Sequence, residues 1–241
     1  REDGFSNVSV FDGEVEVLPL DSEEKRLLSE GEAVRVGRDA IIEDVGFDLK
    51  RFEKLWPIES GIAGSSETIR FIPPWPRRIR FVQSDETIFV ATEGRRTSLQ
   101  NALRLNISKP GEYLQANQLT PDEVAAGRRV RSFILHYSPT EQVGFRRAAR
   151  LEGSVTFDRP VLGLIVQQEE LLASSRLFTN RSAGEGQRRR ELQLTGGADG
   201  DRISLSEDRR TLSLDLISPG RSSDLVRVIV DASPLGKENR K

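Results

Sequence analysis

The chain has 241 residues, with 36 basic and 38 acidic side chains, a formal net charge of −2 at pH 7 and 36% hydrophobic residues. That balance supplies no global field to draw in nucleic acid or an anionic membrane surface, so no nucleic-acid partner is expected. Cysteine is absent, which excludes disulfides, thiolate nucleophiles and Cys-ligated zinc, and no run approaches the roughly 20 apolar residues of a membrane-crossing helix, so no membrane insertion by this segment is expected.

In chain order, the first signal is Val8, Val10, Val15 and Val17 alternating around Asp12-Gly13. A period of two turns one face toward a core, and Asp-Gly supplies the positive φ of a tight turn, so the pattern predicts a β-hairpin. Leu27-Leu28-Ser29-Glu30-Gly31-Glu32-Ala33-Val34-Arg35-Val36 continues the alternation. Residues 8–36 together resemble the closing strands of FecR-type extracytoplasmic domains, a family that senses or relays signals outside the bacterial inner membrane. The resemblance implies a small module in the periplasm or at the cell surface that docks against a partner. The earlier strands of such a domain are expected from upstream chain or from another subunit. The chain opens at Arg1 and contains no methionine, which reads as a mature or excised piece of a longer product, with any signal or anchor upstream.

Asp48 to Leu55 offers a short amphipathic helix that Trp56-Pro57 would end. Glu59 to Ser66 has the small, flexible composition of a linker. These features divide the chain into a hairpin module over 1–45, a helical turn and linker over 46–66, and a larger domain over 67–241. From Glu67 onward short apolar runs recur between Gly, Pro, Asn and Asp, among them Ile69 to Ile72, Val130 to Tyr137, Ala149 to Phe157, Thr211 to Ile217 and Asp224 to Val230. Their spacing predicts an all-β fold, an antiparallel β-sandwich or jelly roll, because a parallel α/β sheet needs long helical crossovers. One or two short helices are expected within it. Thr120-Pro121 to Gly127 carries an N-cap threonine, a first-turn proline and a closing glycine, and Gln168 to Ala173 is the other. Gly153 to Val166, Ser204 to Leu216 and Asp224 to Val230 give residues 130–232 a resemblance to β-rich domains of exported bacterial proteins of unassigned role.

The chemistry-bearing residues are few. His136 is the single histidine, so a His-rich zinc site is impossible and a Ser-His-Asp triad would have to be built on it alone, without a Gly-x-Ser-x-Gly elbow. It reads as a strand histidine. A glycosidase or polysaccharide lyase would need paired carboxylates of divergent pKa, and no strand selects such a pair. Thr195-Gly196-Gly197-Ala198-Asp199-Gly200-Asp201 sets Asp199 and Asp201 two apart in a glycine-rich turn, either as oxygen ligands for Ca²⁺ or as an ordinary turn. Trp75, stiffened by prolines, and Tyr137 offer stacking platforms for a sugar, against the alternative that the tryptophan plugs a seam between modules. Arginine runs at 77–80, 128–131, 146–147 and 188–190 read as solvated faces. The expectation is a non-enzymatic extracytoplasmic bacterial protein for envelope or surface assembly, self-associating or binding another envelope protein. The alternative is a carbohydrate-binding module taking polysaccharide, with Ca²⁺.

Overall fold

A computed structural model describes residues 5–10, 13–20, 25–48, 54–72, 83–140, 149–178, 191–218 and 223–234. The chain separates into two compact units, Arg1–Lys54 and Leu55–Lys241. The described residues are mostly strand, in several sheets that pair almost entirely antiparallel, so the fold is all-β.

In the first unit, β1 (Ser6–Ser9) pairs with β4 (Ala33–Val36), which pairs with β5 (Ile42–Val45), while β2 (Glu14–Val17) pairs with β3 (Arg26–Ser29). The alternating valines are strands, but the hairpin expected at Asp12-Gly13 does not form. Gly13 has the positive φ of a turn, +79°, yet β1 and β2 take different partners. The reason lies in the core. Pairing β1 with β4 sets Val8 opposite Val34, and Val10 and Val34 then bury beside Val17 and Leu28. The β1 line is prolonged by reciprocal backbone bonds, Val10 N to Glu32 O at 3.0 Å and Gly31 N to Val10 O at 2.9 Å.

The second unit opens with α1 (Leu55–Ser60). Trp56-Pro57 was expected to end a helix and instead lies in the first turn of one, where proline costs no hydrogen bond; residues 49–53 of the expected helix lie outside the described residues. Gly61 ends α1 at φ +94°, and a Cβ there would sit 1.8 Å from Arg131 Nη1. The expected linker over 59–66 is corrected by β6 (Ile62–Ser65), a sheet strand paired with β13. A flexible composition did not prevent pairing because Ile62 reaches the core and Ser66 Oγ accepts from Ser154 N.

Two five-stranded sheets follow. One has the order β10 (Gly111–Tyr113), β15 (Arg202–Leu205), β16 (Thr211–Ser218), β13 (Ala149–Phe157), β6. The other runs β14 (Val161–Ile165), β17 (Asp224–Asp231), β12 (Arg129–Tyr137), β8 (Ile88–Ser98), β7 (Ile69–Ile72), with β7 parallel to β8. Their facing side chains form one core, including Val155, Phe157, Leu212 and Leu214 from the first sheet and Val90, Phe133, Leu135, Val226 and Val228 from the second. The second sheet is also covered on its outer face. There α2 (Gln168–Phe178) and a ribbon of β9 (Leu103–Leu105) with β11 (Asp122–Val124) bury a second apolar layer against Ala91, Ile134, Leu225 and Ile229. Burial on both faces is why β17 lacks a polar face and reads as a nearly continuous apolar run.

The helix at Gln168 to Ala173 is present and continues to Phe178, with Glu169 and Glu170 in its first turn and Arg176 in its last, each complementing the helix dipole. The helix expected over Thr120–Gly127 is instead β11. Thr120 does not cap; its Oγ1 accepts from Ser108 N at 3.0 Å and Lys109 N at 3.3 Å. Val124 is carried into the second apolar layer opposite Leu103.

Candidate functional site

The most unusual polar grouping lies between the two sheets at one end of the second unit. Strand β12 ends at Tyr137 and β17 begins at Asp224, and the two are direct cross-strand partners. Such pairs hold their Cβ atoms roughly 4.5–5.5 Å apart. Alternation fixes where they point. Phe133, Leu135 and Tyr137, like Val226, Val228 and Val230, belong to the inter-sheet core, and Asp224 shares their parity. Asp224 is 1% exposed and Tyr137 is fully buried. Neither Asp224 oxygen has a hydrogen-bond partner, nor does the Tyr137 hydroxyl or the Ser223 hydroxyl next to Asp224. Buried polar atoms are ordinarily satisfied, and an orphaned carboxylate costs far more than an orphaned amide.

The opposite sheet brings more negative charge. Asp201, at the start of β15, is buried and uses both oxygens on backbone donors, Ile217 N at 2.8 Å and Gln193 N at 2.5 Å. Burial pushes its carboxyl above the ordinary range, and the two N–H donors pull back against that shift. Asp224 is driven well above its ordinary value, first by burial and then by the charge of Asp201. Burial, with Asp85 and Asp224 adding repulsion, pushes the Tyr137 phenol up to about 12. Asp85 itself is tied down, accepting from Thr140 N and Thr140 Oγ1 at 2.7 Å each. Three strands and the turn before β8 therefore converge on a buried, acid-rich end with one carboxyl left without a hydrogen-bond partner.

Set against the sequence expectations, the structure brings Tyr137 and Asp201 to the same end but in other roles. Tyr137 has no exposed face on which a sugar could stack. Asp199 is exposed on its turn while Asp201 turns inward, so the Asp199/Asp201 pair expected to hold Ca²⁺ does not converge; the Asp201 carboxylate instead fastens the turn to Gln193 and Ile217. Trp75 lies outside the described residues. Among those residues no group of three or more His, Cys, Asp or Glu side chains is placed to hold a metal ion. His136 is buried in β12 with Phe89 and Leu225 as its strand neighbours.

Sequence reasoning passed over Asp224, and with it a second buried ionic group on the outer face of the same sheet. The register between β12 and β8 slips between Ser132 and Phe133, which leaves Glu93 without a cross-strand partner; such a bulge re-aims a side chain. Glu93 takes a fork from Arg227, Nε to Oε2 at 2.6 Å and Nη2 to Oε1 at 2.9 Å, and Ser132 Oγ donates to the same Oε2 at 3.0 Å. Arg227 Nη1 also donates to Leu171 O at 2.9 Å and to Ser174 Oγ, and Nη2 to Ser175 Oγ at 3.3 Å. Its guanidinium lies 5.8 Å from the centroid of the Phe178 ring. The signal for this site was available: a charged residue inside an apolar run with no polar face must bury with a partner.

Comparison with family models, curated proteins and solved structures finds no match to this chain. The functional reading therefore rests on the residues themselves.

Proposed function

We propose that this is a non-enzymatic, extracytoplasmic bacterial protein whose first unit mediates assembly, pairing with a second copy of the chain at the envelope or cell surface. The observation that carries the proposal is the imbalance in that unit. Among its described residues the apolar core comprises the buried Val10, Val17, Leu28 and Val34, with Val8, Val36 and Ile42 partly buried against them. Against these, Phe5, Val15, Leu18, Leu20, Leu27 and Ile41 stand exposed, Leu20 at 91%. So small a core is marginal for a stretch of this length, and burying the six exposed side chains would contribute about 5–10 kcal/mol. That is comparable to the 4–15 kcal/mol cost of association, which places self-association in a weak, concentration-dependent range. Edge strands β1 and β5 add backbone groups able to accept another strand. The resemblance of residues 8–36 to FecR-type segments, which act on partners outside the inner membrane, supports the same reading.

Among the described residues, the carboxyls raised by burial, Asp201 and Asp224, are each 1% exposed and so offer an enzymatic reading no open pair of acids. The test is the mass in solution by light scattering coupled to size exclusion over a concentration series. Mass should rise with concentration, and Leu20→Lys with Leu27→Lys should abolish the rise while leaving the unfolding of the second unit unchanged. A strict monomer at every concentration would overturn the proposal.

A further inference from the structure

We infer that this buried end of the sandwich is a binding site for a hard divalent cation, Ca²⁺, with the Asp224 carboxylate as its anchoring ligand and the Tyr137 hydroxyl as a neighbouring oxygen donor. The inference is independent of self-association by the first unit. Two observations carry it together. The first is the convergence of oxygen-bearing groups: Asp224 and Tyr137 face the inter-sheet space as direct partners on β17 and β12, and Asp201 acts on Asp224 from the opposite sheet. The second is that Asp224 has no partner, although it is 1% exposed and both of its oxygens lie within the protein.

The same sheet shows what a neutralised buried carboxylate looks like. Glu93 accepts from an arginine fork and a serine hydroxyl, whereas Asp224 has donors from neither backbone nor side chain. A carboxyl so placed is neutral only while it keeps its proton; once ionised it needs a positive charge that the described residues do not provide. The available donors are all oxygens: two from Asp224 and the hydroxyl of Tyr137. This set excludes a soft, thiolate- or imidazole-preferring metal. With one free carboxylate, the remaining positions would fall to water and carbonyl oxygens, a mixed set that suits the flexible coordination of Ca²⁺, with Mg²⁺, which is held through one or two carboxylates and several waters, as the competitor to be separated by experiment.

Tb³⁺, a luminescent stand-in for Ca²⁺, provides the direct test. The chain contains two tyrosines and two tryptophans, and excitation of a phenol adjacent to the ion sensitises its emission. The intact chain, stripped with chelator, should give Tb³⁺ emission that Ca²⁺ displaces. Tyr137→Phe should remove most of the sensitised signal, and Asp224→Asn should weaken binding at least tenfold. In parallel, Ca²⁺ should raise the melting temperature of the stripped wild type and leave that of Asp224→Asn unchanged. The inference is overturned if the wild type melts identically in chelator and in millimolar Ca²⁺ without sensitised emission, or if Asp224→Asn keeps the full response. An equal response to Mg²⁺ would overturn the assignment to Ca²⁺.

Discussion

Glu93 and Asp224 are carboxylates buried by opposite faces of one sheet, and they have been treated in opposite ways. On the outer face, under α2, Glu93 sits in a closed network with Arg227, Ser132, Ser174 and Ser175, in which every donor of the arginine fork that reaches it is used. On the inner face, Asp224 has a phenol beside it, a second carboxylate across the gap and no donor to either oxygen. The first arrangement is what a fold does with a charge that holds two elements together, here α2 and the sheet. The second leaves a carboxyl without a partner inside the fold, neutral while it holds its proton and in need of a cation once it has lost it.

The comparison breaks most readily on its satisfied side. Arg227→Met should cost about 3–5 kcal/mol of unfolding free energy, because Glu93 is left buried without its counter-charge; urea denaturation measures it, and adding Glu93→Gln should return part of the loss. A cost under about 1 kcal/mol would mean that α2 moves away and lets water reach Glu93. Asp201, the satisfied acid of the inner end, comes next. Asp201→Ala strands the N–H groups of Gln193 and Ile217 and should cost about 2–4 kcal/mol, offset in part by removal of a buried charge. Asp199→Ala, on the same turn but exposed, should stay within about 0.5 kcal/mol.

A smaller effect than those of Arg227 and Asp201 belongs to the unsatisfied side and has the opposite sign. The folded state raises Asp224 above its ordinary 3.8, so the native protein keeps that proton at pH values where the unfolded chain has lost it. Its stabilising contribution is complete below about 3.8 and disappears as pH rises through the folded-state value. In chelator, Asp224→Asn should therefore be the more stable protein near neutral pH, by roughly a few degrees in Tm. Melting curves over a pH series should show that advantage grow with pH and vanish in acid. An advantage constant with pH would indicate that Asp224 is not the group that titrates.

The same contrast marks how far the sequence could be read. Alternating runs announced most strands of the sandwich, and the Glu-rich start of α2 announced a helix, because both signals are local and agree with the burial each element finds. Thr120-Pro121 to Gly127 misled for the opposite reason. Its capping pattern is a correct local preference, overridden when Thr120 bonds Ser108 and Lys109 and Val124 is drawn against Leu103. The Asp12-Gly13 turn misled similarly: the local geometry survives at Gly13, but a hairpin there would have given up the Val8–Val34 pairing. Tyr137 and Asp201 were singled out for stacking and for metal binding, and the structure places both beside Asp224. Asp224 itself was unreadable, since a carboxylate at the head of an apolar strand differs from one at a solvated strand end only through what the distant Tyr137 and Asp201 bring to it.

The order of strands also governs how this protein comes off the ribosome. Strand β17 lies between β14 and β12, both of which are made before it. Until residues 224–231 emerge, β12 and β14 each expose a row of unpaired backbone groups, and the central seam of the sheet is missing. The second unit therefore cannot complete its core progressively from its amino-terminal side. It must wait for a pairing across nearly a hundred residues of chain, between Tyr137 and Asp224, an arrangement that slows folding and lengthens exposure to misassembly. A chain released before residue 224 would lack an interior strand of the sheet, leaving β14 without its neighbour.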